Sequence, residues 1–322
     1  MATLFSLAIV SSIVLIALYL AYKLLLAPLK QPVINRVTII LIYIISIAAW
    51  PVSQWIAQSS KTAATSANAV HGISIDALTA EFITSPETAN RLADALLLIY
   101  YIGVALVALI TIIGVTKLIV SLRRSPLIEI EGSRVRLMDN TDAAPFSFFG
   151  MMAMGRHDLC DARLIVSHER CHQRRRHSID LLLAQLVAIF QWFNPAAWLM
   201  MRELKAVHEF DVDEQLISAG INLKEYQYLL IKKAVGARFP SLANSLNHSN
   251  LKNRITMMQK SNDAKSRRWR ALALAPALIL ALSVTHLSSV ASVIEAAASS
   301  RMPGVSNGKV TENNPAEQAI AA

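Results

Sequence analysis

Hydrophobic residues are concentrated in four long runs, and a more polar segment at 123–269 separates the third run from the fourth. Each run has roughly the 20 residues that a hydrocarbon core of about 30 Å requires. The runs cover residues 4–26, 37–56, 96–122 and 271–290. No Lys or Arg precedes the first run, so we predict a retained span there and not a cleaved signal peptide. The pattern therefore predicts a mostly α-helical integral membrane protein with four transmembrane helices.

Basic residues near the ends of these runs predict their orientation. Lys30 and Arg36 lie between the first two runs, Arg123 and Arg124 follow the third, and the segment KSRRWR precedes the fourth. Positively charged flanks favour the cytoplasmic side. We therefore expect both termini outside the cytoplasm and the polar segment in the cytoplasm.

The overall composition agrees with this prediction. Hydrophobic residues make up 54% of the 322 residues, and the formal net charge is +9. Because many Lys and Arg residues lie at the ends of the apolar runs, the charge does not require nucleic acid as a partner. The two cysteines, Cys160 and Cys171, are too few for a disulfide scaffold.

The polar segment contains local signals for a hairpin and three helices. Apolar and polar residues alternate around Gly132, which predicts a small β-hairpin. Asp161 and Ser178 are candidate caps for the first two helices, and the pair Asn194-Pro195 is typical of the start of the third. The aromatic cluster at 144–150 indicates a turn that packs on the core.

The first of these helices carries the sequence SHERCHQRRRH, residues 167–177. His168 and His172 are four residues apart, so both imidazoles lie on one helix face and can bind one metal ion. Glu169, about 100° round the helix, is close enough to take a proton from a water at that metal. This pattern predicts hydrolytic zinc chemistry with Glu169 as the general base. We assign His177 and the preceding arginines to a face in contact with solvent or lipid headgroups.

The third helix offers a further ligand in the sequence VHEFDVDE. Glu209 would complete three protein ligands and leave one position open. Asp213, one helical turn later, can accept the second N–H of a ligand imidazole. His208 and, more weakly, Asp211 compete with Glu209 on spacing alone. A straight hairpin of helices would misalign His172 and Glu209 by about 10 Å, so we expect a break near residues 176–178.

Three segments, HERCHQRRRHSIDLLLAQL, QWFNPAAWLMMREL and AVHEFDVDE, together resemble the membrane metallopeptidases of the BlaR/MecR type, the beta-lactam-sensing signal transducers and their relatives. The likeness extends over residues 4–282. It implies a gluzincin-type zinc endopeptidase on the cytoplasmic side of the bacterial inner membrane. The implied metal ligands are His168, His172 and Glu209, with Glu169 as general base and Asp213 in support. It also favours Glu209 over His208 as the third ligand.

The apolar runs, the charged flanks and the resemblance together predict the organisation of the chain. A transmembrane region at 1–122 with an extracytoplasmic loop at 57–93 precedes a cytoplasmic zinc metallopeptidase domain at 123–269. A fourth transmembrane helix at 270–291 and a disordered tail at 292–322 follow, and this tail is too short for a penicillin-binding sensor domain.

A protein substrate, such as a DNA-binding repressor, is the expected partner besides the lipid bilayer, and the edge of the 127–137 hairpin is a candidate binding site for it. The alternative is a catalytically silent signalling scaffold with the same fold. The substrate, the stimulus and the oligomeric state do not follow from the sequence.

Overall fold

The computed structural model describes residues 2–29, 31–64, 86–139, 144–236 and 251–259. Its first three helices are α1 (Ala2–Leu25), α2 (Pro32–Ala64) and α3 (Pro86–Arg124). Each contains a stretch that is long and apolar enough to cross a membrane, namely Ala8–Leu25, Pro32–Ala49 and Asp94–Arg124. The first three predicted spans thus fall on helices. The fourth, at 271–290, lies outside the described residues, as does most of the predicted loop at 57–93.

A four-stranded sheet follows α3. Its strands are β1 (Leu127–Ile130), β2 (Ser133–Met138), β3 (Phe146–Phe148) and β4 (Met151–Gly155), in the order β1-β2-β4-β3. The hairpin predicted around Gly132 is confirmed, because Ile130 pairs with Ser133 across a two-residue turn in which Gly132 has φ +69. Such a turn requires positive φ, which glycine adopts without steric cost.

The aromatic cluster at 144–150 was expected to form a turn, but it also contributes a strand. Phe146 to Phe148 form β3, which pairs antiparallel with β4 through the turn at Phe149 and Gly150. β4 in turn runs parallel to β2. The sheet therefore has two edges, β1 and β3, and β3 comes from the segment that local pattern assigned to a turn.

Five helical segments complete the described fold: α4 (Ala162–Arg174), α5 (His177–Phe190), α6 (Pro195–Ser218), α7 (Leu223–Gly236) and α8 at 251–258. The predicted break is confirmed: α4 ends at Arg174, and Arg176 adopts a left-handed conformation before α5 begins. Ser178 is not the cap of α5. It lies within the first turn of that helix, and its hydroxyl accepts a hydrogen bond from the backbone N–H of Phe149.

The start and end of α6 follow the sequence signals. The side chain of Asn194 accepts a hydrogen bond from the backbone N–H of Ala196, and Pro195 occupies the first helical position. The helix ends at Ser218, and Gly220 follows with φ +89. Asn194 therefore satisfies one of the N–H groups that a helix start leaves without a partner.

The described core has three parts. The largest lies among α1, α2, α5 and α6, where residues such as Leu15, Tyr43, Ala188 and Met200 are fully buried. A second part packs the sheet against α4 and α7, and a third surrounds Cys171 and Tyr226. Because α6 contributes to the first and third parts, it connects the apolar helices to the HExxH helix.

Candidate metal site

The HExxH sequence lies on α4, and its two histidines face the same way. The Nε2 atoms of His168 and His172 are 3.1 Å apart, and their rings meet edge to face. The helix is held in place by Ile165 and Val166, which pack against the sheet. Asp161 occupies the cap position of α4 but makes no capping hydrogen bond; its carboxylate pairs with Lys232 instead.

Glu209 on α6 meets the two imidazoles. Its Oε2 lies 3.5 Å from Nε2 of His168, and its Oε1 lies 3.5 Å from Nε2 of His172. Two ligand atoms about 2.1 Å from a tetrahedral zinc ion lie about 3.4 Å from each other. The separation of the two imidazole nitrogens is close to this value, and each nitrogen lies 3.5 Å from one oxygen of the Glu209 carboxylate. The structure thus brings the three predicted ligand side chains to one place, and among the described residues they form a group able to hold a metal ion.

The two competing ligands point elsewhere. His208 is buried, its Nε2 lies 2.9 Å from Oδ2 of Asp180, and its ring stacks on His177 at 3.9 Å. Asp211 is fully buried and binds Arg175 through both carboxylate oxygens, at 2.8 and 2.6 Å. The described geometry therefore favours Glu209 over both.

Glu169 is 6% exposed and lies beneath the strand β3. Burial raises the pKa of its carboxyl, and the neighbouring His168 and a hydrogen bond with Ser147 of β3 oppose this shift. A buried carboxylate with a raised pKa is a stronger base than an exposed one, which suits a group that must accept a proton.

The imidazole of His168 is held by Tyr226 of α7. Nδ1 of His168 lies 2.8 Å from the Tyr226 hydroxyl, which donates to Oδ1 of Asp213 at 2.6 Å. The sequence predicted a direct contact between Asp213 and a ligand imidazole; the contact instead passes through Tyr226. Local spacing gave no signal for Tyr226, because it belongs to a different helix.

The imidazole of His172 is held by a matching arrangement on its other side. Nδ1 of His172 lies 2.8 Å from Nδ1 of His177, whose Nε2 lies 3.2 Å from Oδ2 of Asp211. The assignment of His177 to a solvent or headgroup face is therefore wrong, since its side chain is buried against the site. With Nε2 of His172 facing the cluster, its Nδ1 carries the proton and donates to His177, which donates through Nε2 to Asp211.

Arg254 of α8 is the other residue that the sequence did not reveal. It donates two hydrogen bonds to Asp213, at 2.8 and 2.6 Å, and its Nη1 lies 2.8 Å from Oε2 of Glu209. Burial opposes ionisation of Glu209, but Arg254 and His168 outweigh it and hold the pKa of that carboxyl well below its usual range. Glu209 is therefore ionised, as a metal ligand must be.

Burial also lowers the pKa of His172 to about 3, although Glu209 opposes the shift. A neutral imidazole keeps the lone pair that binds a metal, whereas an imidazolium does not. Burial opposes protonation of His168, but Glu209 outweighs it and raises the pKa of that imidazole. An ionised Glu209 and a neutral His172 are in the states that bind a divalent metal such as zinc, and a bound cation would take the place of the proton on His168.

Arg36 at the start of α2 links this site to the apolar helices. Its guanidinium donates to Oδ2 of Asp180 at 2.7 Å and to the backbone carbonyl of Arg175 at 2.6 Å, and it lies 3.7 Å from Oδ2 of Asp211. The side chain is largely buried. One arginine from a candidate span thus contacts α5, α6 and the residue that follows α4, and the side chains of these three helices surround the site.

Comparison with known proteins agrees with this geometry. Residues 154–258 match the sequence model of a family described as BlaR1 peptidase M56. No curated protein matches the chain. The matched segment contains the HExxH helix, Glu209, Tyr226 and Arg254. The resemblance to BlaR/MecR-type membrane metallopeptidases is therefore confirmed over residues 154–258, the segment that matches the BlaR1 peptidase M56 family.

Proposed function

We propose that the chain is a membrane zinc endopeptidase in which His168, His172 and Glu209 hold the metal. The observation that supports this most is the cluster itself, in which the two imidazole nitrogens lie 3.1 Å apart and each lies 3.5 Å from a carboxylate oxygen of Glu209. Zinc bound there would supply Lewis-acid chemistry for the hydrolysis of a peptide bond.

The chain's own residues would supply the proton transfer. Glu169 accepts a proton from the attacking water and later passes it to the leaving amine, because a buried carboxylate next to the ligands is suited to both steps. Tyr226 with Asp213 and His177 with Asp211 orient the two imidazoles, since each pair fixes the nitrogen that carries the proton.

An extended substrate would pair with strand β3. β3 is an edge of the sheet, and its Ser147 contacts Glu169. Our sequence-based candidate, the edge of the predicted hairpin, is strand β1, which lies at the opposite edge of the sheet from β3. An edge strand presents free N–H and C=O groups to a peptide, so β3 would align the bond to be cut alongside the general base.

We further propose that the substrate is a regulatory protein, such as a transcriptional repressor, on the cytoplasmic side of the inner membrane. The Lys and Arg residues at the span ends support this orientation, with both termini outside and the segment 123–269 toward the cytoplasm. The family match supports a protein substrate in general, and the repressor is an extension from the BlaR/MecR resemblance.

The test uses purified full-length protein and elemental analysis. His168→Ala, His172→Ala and Glu209→Ala should each lose zinc, whereas His208→Ala, the matched control on the same helix, should keep it because His208 binds Asp180. Loss of zinc in His208→Ala but not in Glu209→Ala would contradict the proposed ligand set.

The catalytic role is tested separately with Glu169→Gln, which should bind zinc normally and cut nothing. Membranes with the wild-type chain and membranes with this variant are incubated with cell lysate, and new protein N-termini are compared. Termini that depend on Glu169 support the peptidase. Zinc binding with no Glu169-dependent cleavage in any condition would favour the silent scaffold.

A further inference from the structure

Helix α5 and the first half of α6 form a hairpin with an unusual composition. From Leu181 to Met201 the chain contains no charged residue. This hairpin belongs to the segment 123–269, which the sequence predicts to be cytoplasmic. Helix α5 has 14 residues and is too short to cross a membrane alone. Its neighbours in the core are α1 and α2, two of the candidate spans.

The base of the hairpin lies at the basic end of the spans. Asp180 at the start of α5 pairs with Arg36 of α2, and Glu203 of α6 pairs with Lys23 near the end of α1. All four charged groups thus lie at one level, where α1 ends and α2 begins. This level marks the membrane surface for these helices, because charged side chains avoid the hydrocarbon region.

The tip of the hairpin lies far from that surface. Gln191 donates to the hydroxyl of Ser11 at 2.8 Å, and the indole of Trp192 donates to the backbone carbonyl of Tyr100 at 3.3 Å. Ser11 is three residues from the start of the first span at Ala8. Tyr100 is 17 residues from Lys117, or about 26 Å along α3.

A contact midway along α5 shows that α5 and α3 lie side by side at matching depths. Gln185 donates to the hydroxyl of Thr111 at 2.9 Å. Gln185 lies five residues from Asp180 and Thr111 six residues from Lys117, so each is about 8–9 Å from the nearest charged residue of its helix. The hairpin therefore runs alongside the third span over most of its apolar length.

Polar side chains at the tip of the hairpin form hydrogen bonds with other groups of the protein. The Tyr100 hydroxyl donates to the carbonyl of Phe190, and the Trp198 indole donates to the carbonyl of Trp192. Asn194 donates to Gln191 and to the carbonyl of Ser12. A turn inside a bilayer requires such partners, because no water is present to replace them.

The outer face of the hairpin is apolar, and it is half-exposed in the part of the chain that the structure describes. Ile179, Leu182, Leu186 and Phe190 follow each other at helical spacing on α5, and each is between 46% and 50% exposed. The neighbouring α3 is exposed in the same way at Leu106, Leu109 and other positions. In water these residues would form one large apolar surface, which is rare on a soluble protein.

We infer that α5 and the first half of α6 form a re-entrant hairpin within the bilayer, with Leu182, Leu186 and Phe190 in contact with lipid acyl chains. This surface is continuous with the exposed face of the third span. The inference concerns the membrane contact alone and holds whether or not the chain cuts a substrate. It places Glu209, six residues beyond Glu203, about 9 Å from the membrane surface.

Spin labels at single cysteines in protein reconstituted into phosphatidylglycerol–phosphatidylethanolamine vesicles test this inference. Cys160 is replaced by Ser, the signal of buried Cys171 is subtracted, and labels are placed at Leu182, Leu186 and Phe190. Tyr228 on α7, which is 69% exposed, is the matched control. Collision rates are measured with oxygen, which concentrates in lipid, and with a water-soluble nickel chelate.

Labels at the three α5 positions should collide frequently with oxygen and at least about tenfold less with the nickel chelate than the label at Tyr228 does, because the chelate does not enter the bilayer. All three positions are exposed. If one labelled variant fails to fold, the other two variants still test the inference. Nickel accessibility on α5 equal to that at Tyr228 would overturn the inference.

Discussion

Replacing His177 by Phe tests how the candidate metal site holds its second imidazole. Phe keeps a ring of similar size stacked on His208, whose ring lies 3.9 Å away and nearly parallel. It removes the acceptor that lies 2.8 Å from Nδ1 of His172 and cuts the connection to Asp211. The Nδ1–H of His172 is then left in a buried environment without its partner.

The size of the effect follows from that single lost contact. Second-sphere partners of a metal-bound imidazole are typically worth 10–100-fold in metal affinity, which is about 1.4–2.7 kcal/mol at 1.36 kcal/mol per decade. Leaving one buried N–H unsatisfied costs about 1–3 kcal/mol. Both routes give the same range, so we expect His177→Phe to weaken zinc binding by about one to two orders of magnitude.

The assay is competition for zinc between a chromophoric chelator and the purified full-length protein, with a thermal unfolding scan to show that each variant is folded. His208→Phe is the control. It makes the same change in the ring that stacks on His177, and the imidazole lost there contacts Asp180 and not a metal ligand. Equal zinc affinities for the folded His177→Phe variant and the wild type would refute the role of His177, as would equal losses in both variants.

Three further outcomes follow from the same contacts. Tyr226→Phe should weaken zinc binding about tenfold, because it removes only the hydroxyl between His168 and Asp213; unchanged affinity in the chelator assay would contradict this. Arg36→Gln should weaken zinc binding. Lys23→Gln, which removes the ion pair between α1 and Glu203 of α6, should not; equal effects of the two substitutions on zinc affinity would contradict a specific role of Arg36 at the metal site. The hydrogen bonds to Asp211, which outweigh its burial, lower its pKa from 3.8 to about 2, so it stabilises the fold above pH 4 by about 2 kcal/mol and loses this contribution as the pH falls through 2. Denaturant unfolding of Asp211→Asn should therefore show a weaker pH dependence between pH 4 and 2 than the wild type.

Local sequence signals predicted the parts of this site that depend on one helix or one turn. The HExxH spacing, the Asn194-Pro195 helix start and the turn at Gly132 are all properties of a few consecutive residues. The offset between His172 and Glu209 also correctly required a break before α5. Each of these follows from helix or turn geometry alone.

The missed features all depend on contacts between distant segments. Phe146 to Phe148 become a strand because β4 offers a partner, and β4 is itself fixed by its parallel pairing with β2. Tyr226 and Arg254 reach Asp213 from helices 13 and 41 residues away in sequence. His177 lies in an arginine-rich segment that looks exposed by composition, and only the sharp turn at Arg176 directs its side chain inward.

Helix α6 has a consequence for how the protein can be divided. Its first half packs against α1 and α2 through residues such as Ala197 and Met200, and its second half carries Glu209 and Asp213. A truncated chain that keeps only the family-matched segment 154–258 would retain the chemistry but strip the apolar partners from half of this helix. Such a fragment would expose a surface built for contact with other helices and would aggregate. The family-matched segment and the apolar helices are therefore not two modules joined by a linker, because a single helix belongs to both.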